Sequence, residues 1–120
     1  MGVARRRGGF TLIEVMIVIM VIAILIEIAV PEFLKSRTTS QRNTCINNLK
    51  QIDAAKEEWA MDTGAPNGAA VVMKDIASVY IRGPVTGPTC PANGTYTLNP
   101  VGTDPVCSLS AAPDYHYLDN

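Results

Sequence analysis

Between Phe10 and Val30 the sequence FTLIEVMIVIMVIAILIEIAV carries only two ionisable side chains, Glu14 and Glu27, and this run limits the possible folds more than any other feature. At 1.5 Å per residue its 21 residues make a helix of roughly 31 Å, about the thickness of a bilayer's hydrocarbon core. One membrane-spanning helix is the first physical expectation. Arg5, Arg6 and Arg7 lie just before the run and Pro31 closes it. By the positive-inside tendency, Met1 to Gly9 stay cytoplasmic and everything after Pro31 lies outside, in an oxidising space.

A secretory signal peptide places its apolar stretch before a cleavage site marked by small residues. Here the small residues, Gly8 and Gly9, come before the apolar run. A cut after Gly9 removes only the basic leader and makes the apolar helix the new N-terminus. GFTLIE followed by an apolar run ending in proline resembles the class III leader and N-terminal helix of type IV prepilins and type II secretion pseudopilins, with a dense match from Arg5 to Pro31. The resemblance implies a prepilin peptidase that cuts between Gly9 and Phe10 and methylates the new amine of Phe10. It also implies storage in a bacterial inner membrane and extraction through an inner-membrane assembly platform into a helical filament of identical subunits, periplasmic or on the surface.

Glu14 is the odd residue of the run. A carboxylate inside hydrocarbon costs about 2.5–3.5 kcal/mol on insertion scales, so such a residue usually faces a partner. The amine freed at Phe10, with a pKa near ~7.7–8.0, is a cation at the same depth. In the family that Phe10–Pro31 resembles, the corresponding Glu pairs with a neighbouring subunit's N-terminal amine and sets register. The alternative is a Glu near enough to the cytoplasmic surface to be solvated or protonated. Glu27 departs from the family's usual apolar residue; about 26 Å along from Phe10, it is placed to snorkel to the outer interface.

At Pro31 a local reading ends the helix, whereas the resemblance implies a helix that kinks and continues. Lys35 to Thr44, KSRTTSQRNT, has no apolar residue and by itself suggests a linker. Apolar spacing returns at Cys45, Leu49, Ile52, Ala55 and Trp59, one stripe of an α-helix, with Lys50, Asp53, Lys56, Glu57 and Glu58 flanking or opposing it. Trp59 is expected to anchor the outer domain, with Leu49 and Ile52 beside it. A helix unbroken from Phe10 to about Asp62 spans roughly 80 Å.

Gly64, Pro66 and Gly68 stop that helix. Val72, Ile76, Val79 and Tyr80 suggest a short second helix within Val71 to Ile81, and Arg82 to Pro91 is a loop by composition. Thr95–Leu98 and Val106–Leu109 form a hairpin around Asn99–Gly102, with Tyr115–Leu118 a possible third strand. The fold class is therefore α+β: a long N-terminal helix, membrane-spanning in its first half, whose second half packs on a small antiparallel sheet. Its expected parts are a leader (1–9), a transmembrane half (10–30), an amphipathic continuation (31–62) and a C-terminal head (63–120). Tyr80-Ile81, Pro88-Thr89-Cys90-Pro91, Gly94-Thr95-Tyr96 and Pro105-Val106-Cys107 more loosely resemble the C-terminal part of small pseudopilin-like and competence-pilin-like proteins.

So small a head has a thin core, and a disulfide helps it. Cys90 and Cys107 enclose 16 residues, a loop whose closure is worth about 3 kcal/mol in the entropic picture. Cys45, on the packing stripe, is the alternative partner of either. Cys45, Cys90, Cys107 and His116 also add up to three thiols and an imidazole, the donor set of a tetrahedral zinc site. No pair has the short spacing typical of structural zinc ligands, so no metal site is expected, and His116 is placed at the surface or on an edge strand. Major type II secretion pseudopilins carry calcium in C-terminal loops. Asp104, Asp114 and Asp119 are too scattered here to match that pattern, so no cofactor is expected and calcium rests on resemblance alone.

The formal charge is −1, and losing the three leader arginines leaves 7 basic against 11 acidic residues, a net of −4. That balance argues against a nucleic-acid partner. With one histidine and no nucleophile elbow, phosphate loop or paired-carboxylate motif, the chain is not expected to be an enzyme. The resemblance implies a structural subunit, with a type II secretion pseudopilin first, a short type IV or competence pilin as its rival, and a non-polymerising anchored adhesion module as the reading from a different class.

Overall fold

The computed structural model describes residues 8–111 and 115–118 and divides the chain into two compact units, one ending at Ser36 and one beginning at Arg37. The fold is α+β: helix α1 (Leu12–Thr63), a short helix α2 (Met73–Ala77), and strands β1 (Tyr96–Thr97) and β2 (Val106–Cys107) in one antiparallel pair.

Helix α1 starts at a capping box that the sequence encodes as T-x-x-E. Glu14 N–H donates to Thr11 Oγ1 and Thr11 N–H donates back to Glu14 Oε2, each at 3.3 Å, so the two residues satisfy helix-end donors reciprocally. Through the N-terminal unit the large apolar side chains from Leu12 to Leu34 are all at least 47 % exposed. This stretch holds the one segment among the described residues long and apolar enough to cross a membrane. Pro31 lies inside α1 and does not end it. The ring removes one helical hydrogen bond, to the carbonyl of Glu27, and the turns on both sides carry the helix past it. Lys35–Thr44 is helical too. Poor formers there cost a few tenths of a kcal/mol each, ~0.7 at most, and propagation from an existing helix is cheap. Thr44 shows the accommodation: its hydroxyl donates to the Ser40 carbonyl at 2.9 Å.

In the second unit α1 buries Cys45, Leu49, Ile52, Ala55, Lys56 and Ala60. The expected stripe is present, with two corrections. Trp59 is only partly buried, at the margin of a cluster of Ile52, Ala55, Val71, Ile76 and Ile81, so the anchors are Leu49 and Ile52. Lys56, expected to flank the stripe, has no exposed surface. The helix ends in a Schellman arrangement: Gly64 takes φ 70°, and Ala65 N–H returns to the Ala60 carbonyl at 3.0 Å.

Helix α2 covers five residues rather than Val71 to Ile81. Val72 is extended, at φ −114° and ψ 152°, without a side-chain cap, and a turn follows Ala77. The buried set is Val71, Ile76, Ala77 and Ile81, while Val72 and Val79 point to solvent. Tyr96 pairs with Cys107 and Thr97 with Val106, which makes the hairpin real but shorter than expected. Its connection is stitched to the chain after α1, where Gly68 N–H donates to the Val101 carbonyl at 2.9 Å and Val101 N–H to that of Ala69 at 3.0 Å. Tyr115–Leu118 is not a third strand. Tyr115 takes φ 48°, which breaks an extended run, and two backbone bonds, Tyr115 N–H to the Ala111 carbonyl at 3.3 Å and His116 N–H to the Leu109 carbonyl at 3.0 Å, tie the segment down.

Candidate functional site

Two groups of side chains carry chemistry, one in each unit. In the N-terminal unit, Gly8, Gly9 and Phe10 precede the helix and are exposed, with open space around both glycines. The Gly9–Phe10 bond is thus sterically accessible. Glu14 sits in the first turn of α1, the favourable end of the helix dipole for a carboxylate. Its Oε2 accepts from both the backbone N–H and the hydroxyl of Thr11. The sequence signal of this local role of Glu14 is the T-x-x-E pattern that begins at Thr11. Phe10, Glu14, Val15 and Val18 line one shallow recess. Most of the leader, residues 1–7, lies outside the described residues.

The second unit gathers a different set. Cys45 on α1, Cys90 on the loop after α2, Cys107 on β2 and His116 near the C-terminus have their ligand atoms within 4.8 Å of one another, and all four residues are buried. Cys90 Sγ stands 3.6 Å from His116 Nδ1. His116 is therefore an interior residue, not a surface or edge-strand one. The three sulfurs are free thiols, so the Cys90–Cys107 bridge is not formed here. Nor does the geometry single out that pair, because Cys45 belongs to the same cluster.

Polar groups converge on the sulfurs. Burial pushes the Cys90 thiol up, but backbone N–H groups of Ala92 and Gly94, together with the other two thiols, outweigh it, and the net shift is downward. Burial pushes Cys45 up to about 12, against a hydrogen bond from the Tyr96 hydroxyl. Tyr96 is itself pushed up, first by burial and then by Cys45, while Asn48 Nδ2 donates to its Oη at 3.1 Å. Gly94 lacks a side chain for a reason. A Cβ there would stand 2.6 Å from Cys107 Sγ and 3.3 Å from Cys90 Sγ.

Helix α1 also holds the loops that carry these ligands. Gln41 Nε2 donates to the Pro91 carbonyl at 3.2 Å and Asn48 Nδ2 to that of Thr89 at 3.1 Å, flanking Cys90. Arg42 Nε donates to the Tyr115 carbonyl at 3.1 Å, beside His116, and its guanidinium lies 6.0 Å from the Tyr115 ring. Of the acidic residues weighed for calcium, Asp114 and Asp119 lie outside the described residues.

The prokaryotic N-terminal methylation motif matches residues 4–26. Over 54 residues the chain is 43 % identical to the type IV major pilin protein PilA of Myxococcus xanthus strain DK1622, covering 45 % of this chain and 24 % of that protein. It is 29 % identical over 58 residues to the type II secretion system core protein G of Aeromonas hydrophila, and 28 % identical over 58 residues to that of Klebsiella pneumoniae, each covering 48 % of this chain and 41 % of the relative. The chain thus spans less than half the length of these relatives. No solved structure matches it. The N-terminal segment carries the prokaryotic N-terminal methylation motif and is similar in sequence to a type IV major pilin and to type II secretion core proteins G.

Proposed function

We propose that this chain is a structural subunit of a type IV filament-like assembly, cut by a prepilin peptidase between Gly9 and Phe10 and polymerised through α1, with the type II secretion pseudopilin as the first assignment. The observation that carries it is the methylation motif at the head of a membrane-length helix whose apolar side chains are exposed all round. Such a helix is stable in lipid, or in a bundle of identical helices, and moving from one to the other shows little apolar surface to water. The subunit waits in the inner membrane with its C-terminal part outside the cytoplasm, and an assembly platform extracts it. Glu14 then meets the amine of a neighbour's Phe10, and Pro31 softens the helix where it leaves the membrane. No catalytic step is assigned to any residue.

The similarity to a type IV major pilin supports a second reading, a short pilin forming surface fibres. Shearing cells and probing the released fraction separates the two. A pseudopilin stays with the cells at native expression, while abundant sheared fibres support the pilin. Loss of the peptidase should leave a chain longer by the leader in either case, and a chain of unchanged length rejects both.

A further inference from the structure

Cys45, Cys90, Cys107 and His116 are far apart in sequence and brought together by the fold. Zinc holds Cys sulfur at ≈ 2.3 Å and His nitrogen at ≈ 2.0–2.1 Å, so in a tetrahedral site neighbouring sulfurs are about 3.8 Å apart and a sulfur and a nitrogen about 3.5 Å. The Cys90 Sγ to His116 Nδ1 separation of 3.6 Å and the 4.8 Å limit on the whole set lie close to that geometry. We propose that these four residues form a closed structural zinc site that staples the C-terminal unit.

Three further features fit a metal better than a disulfide or plain thiol packing. A disulfide consumes two sulfurs and strands a thiol and an imidazole in the interior, whereas a metal uses all four donors. Backbone N–H groups of Ala92 and Gly94 aim at Cys90 Sγ, and Tyr96 donates to Cys45. These are the outer hydrogen bonds that orient thiolate ligands and stabilise their charge. Gly94, finally, opens the space in which two of the sulfurs meet the backbone. Binding at Nδ1 leaves the His116 proton on Nε2. On loading, each thiol releases its proton to solvent as its sulfur bonds to the metal. Four protein ligands leave no open position, so the site is structural rather than catalytic. The metal would join α1, the Cys90 loop, β2 and the C-terminal segment, in a unit whose sheet is a two-residue strand pair and whose core is thin.

The test uses the full chain extracted from membranes in detergent without chelator. Expected are about one zinc per chain that survives dialysis, and X-ray absorption showing three sulfurs near ~2.3 Å and one nitrogen near ~2.0–2.1 Å. All three thiols should react with alkylating reagent only after a strong chelator is added. His116→Ala and Cys90→Ser should reduce zinc to background, and His116→Cys should retain it. Because removing a ligand can unfold the unit, exchange of the unaltered protein with Co²⁺ gives an independent readout, the intense bands of tetrahedral thiolate-bound cobalt. Zinc-free protein overturns the proposal, whether peptide mapping finds a disulfide between any two cysteines or thiol titration finds all three free. Substoichiometric zinc lost on dialysis overturns it as well.

Discussion

Lys56 Nζ, on a side chain with no exposed surface, donates to the Thr103 carbonyl in the hairpin connection and lies 3.6 Å from Asp53 Oδ1 one helical turn back. A buried ammonium is tolerated only when paired and hydrogen-bonded, and this one links α1 to the loop between β1 and β2. Lys56→Ala should destabilise the second unit by about 2–4 kcal/mol, through a cavity and an unpartnered carbonyl. Lys56→Met, which keeps the volume, should cost less. Trp59, the one tryptophan of the chain and packed against the main apolar cluster, provides the fluorescence signal for denaturant unfolding.

Two glycine substitutions separate backbone strain from crowding. Gly64 has φ 70° and open space around it, so Gly64→Ala should cost about 1 kcal/mol through conformation alone. At Gly94 the obstacle is contact with Cys107 Sγ, Leu109 and Cys90 Sγ, and Gly94→Ala should cost about 1–3 kcal/mol by overpacking. The same Trp59 unfolding curves decide, and a cost below about 1 kcal/mol at Gly94 would remove the special role given to it.

The parts legible in the sequence are those set by local pattern. The apolar run, the Cys45–Leu49–Ile52–Ala55 stripe and the Gly64 stop all found their places, because helical period and glycine chemistry need no knowledge of distant partners. The illegible parts depend on non-local contacts. Nothing near Lys56 in sequence announces that its ammonium ends on Thr103, and the spacing of Cys45, Cys90, Cys107 and His116 hides a convergence made by four separate segments. Tyr115–Leu118 has strand-forming residues, but the positive φ of Tyr115 and the buried position of His116 override that propensity. The T-x-x-E box around Glu14 was legible in principle, yet its local meaning is hidden by the membrane setting of the run.

Tyr80 Oη donates to Asp62 Oδ2 at 2.9 Å, and that hydrogen bond, with a smaller contribution from burial, pushes the phenol above its ordinary value. The sign follows from linkage. The unfolded chain loses the proton near pH ~10 while the folded chain keeps it, so the contribution is complete below that pH and is lost as pH rises through the raised folded value. Asp62→Asn removes the charge and should lower the Tyr80 transition toward the ordinary range in a spectrophotometric titration. An unchanged titration curve would rule out Asp62 as the cause.

Glu14 has two roles that one pair of substitutions can separate. As the N3 residue of a capping box it accepts from Thr11, and glutamine serves that position as well as glutamate. As the proposed partner of a neighbour's amine it must carry charge. Glu14→Gln therefore keeps the cap and removes the charge, whereas Thr11→Ala removes the cap, worth about 0.5–2 kcal/mol of helix stability, and keeps the charge. The expected outcome is cleavage at Gly9–Phe10 in both variants, with filament assembly lost for Glu14→Gln and largely retained for Thr11→Ala. Immunoblotting of processed chain and electron microscopy of fibres from overexpressing cells measure the two steps. Normal fibres from Glu14→Gln, or their loss from Thr11→Ala alone, would show that Glu14 acts by starting the helix rather than by meeting a charge.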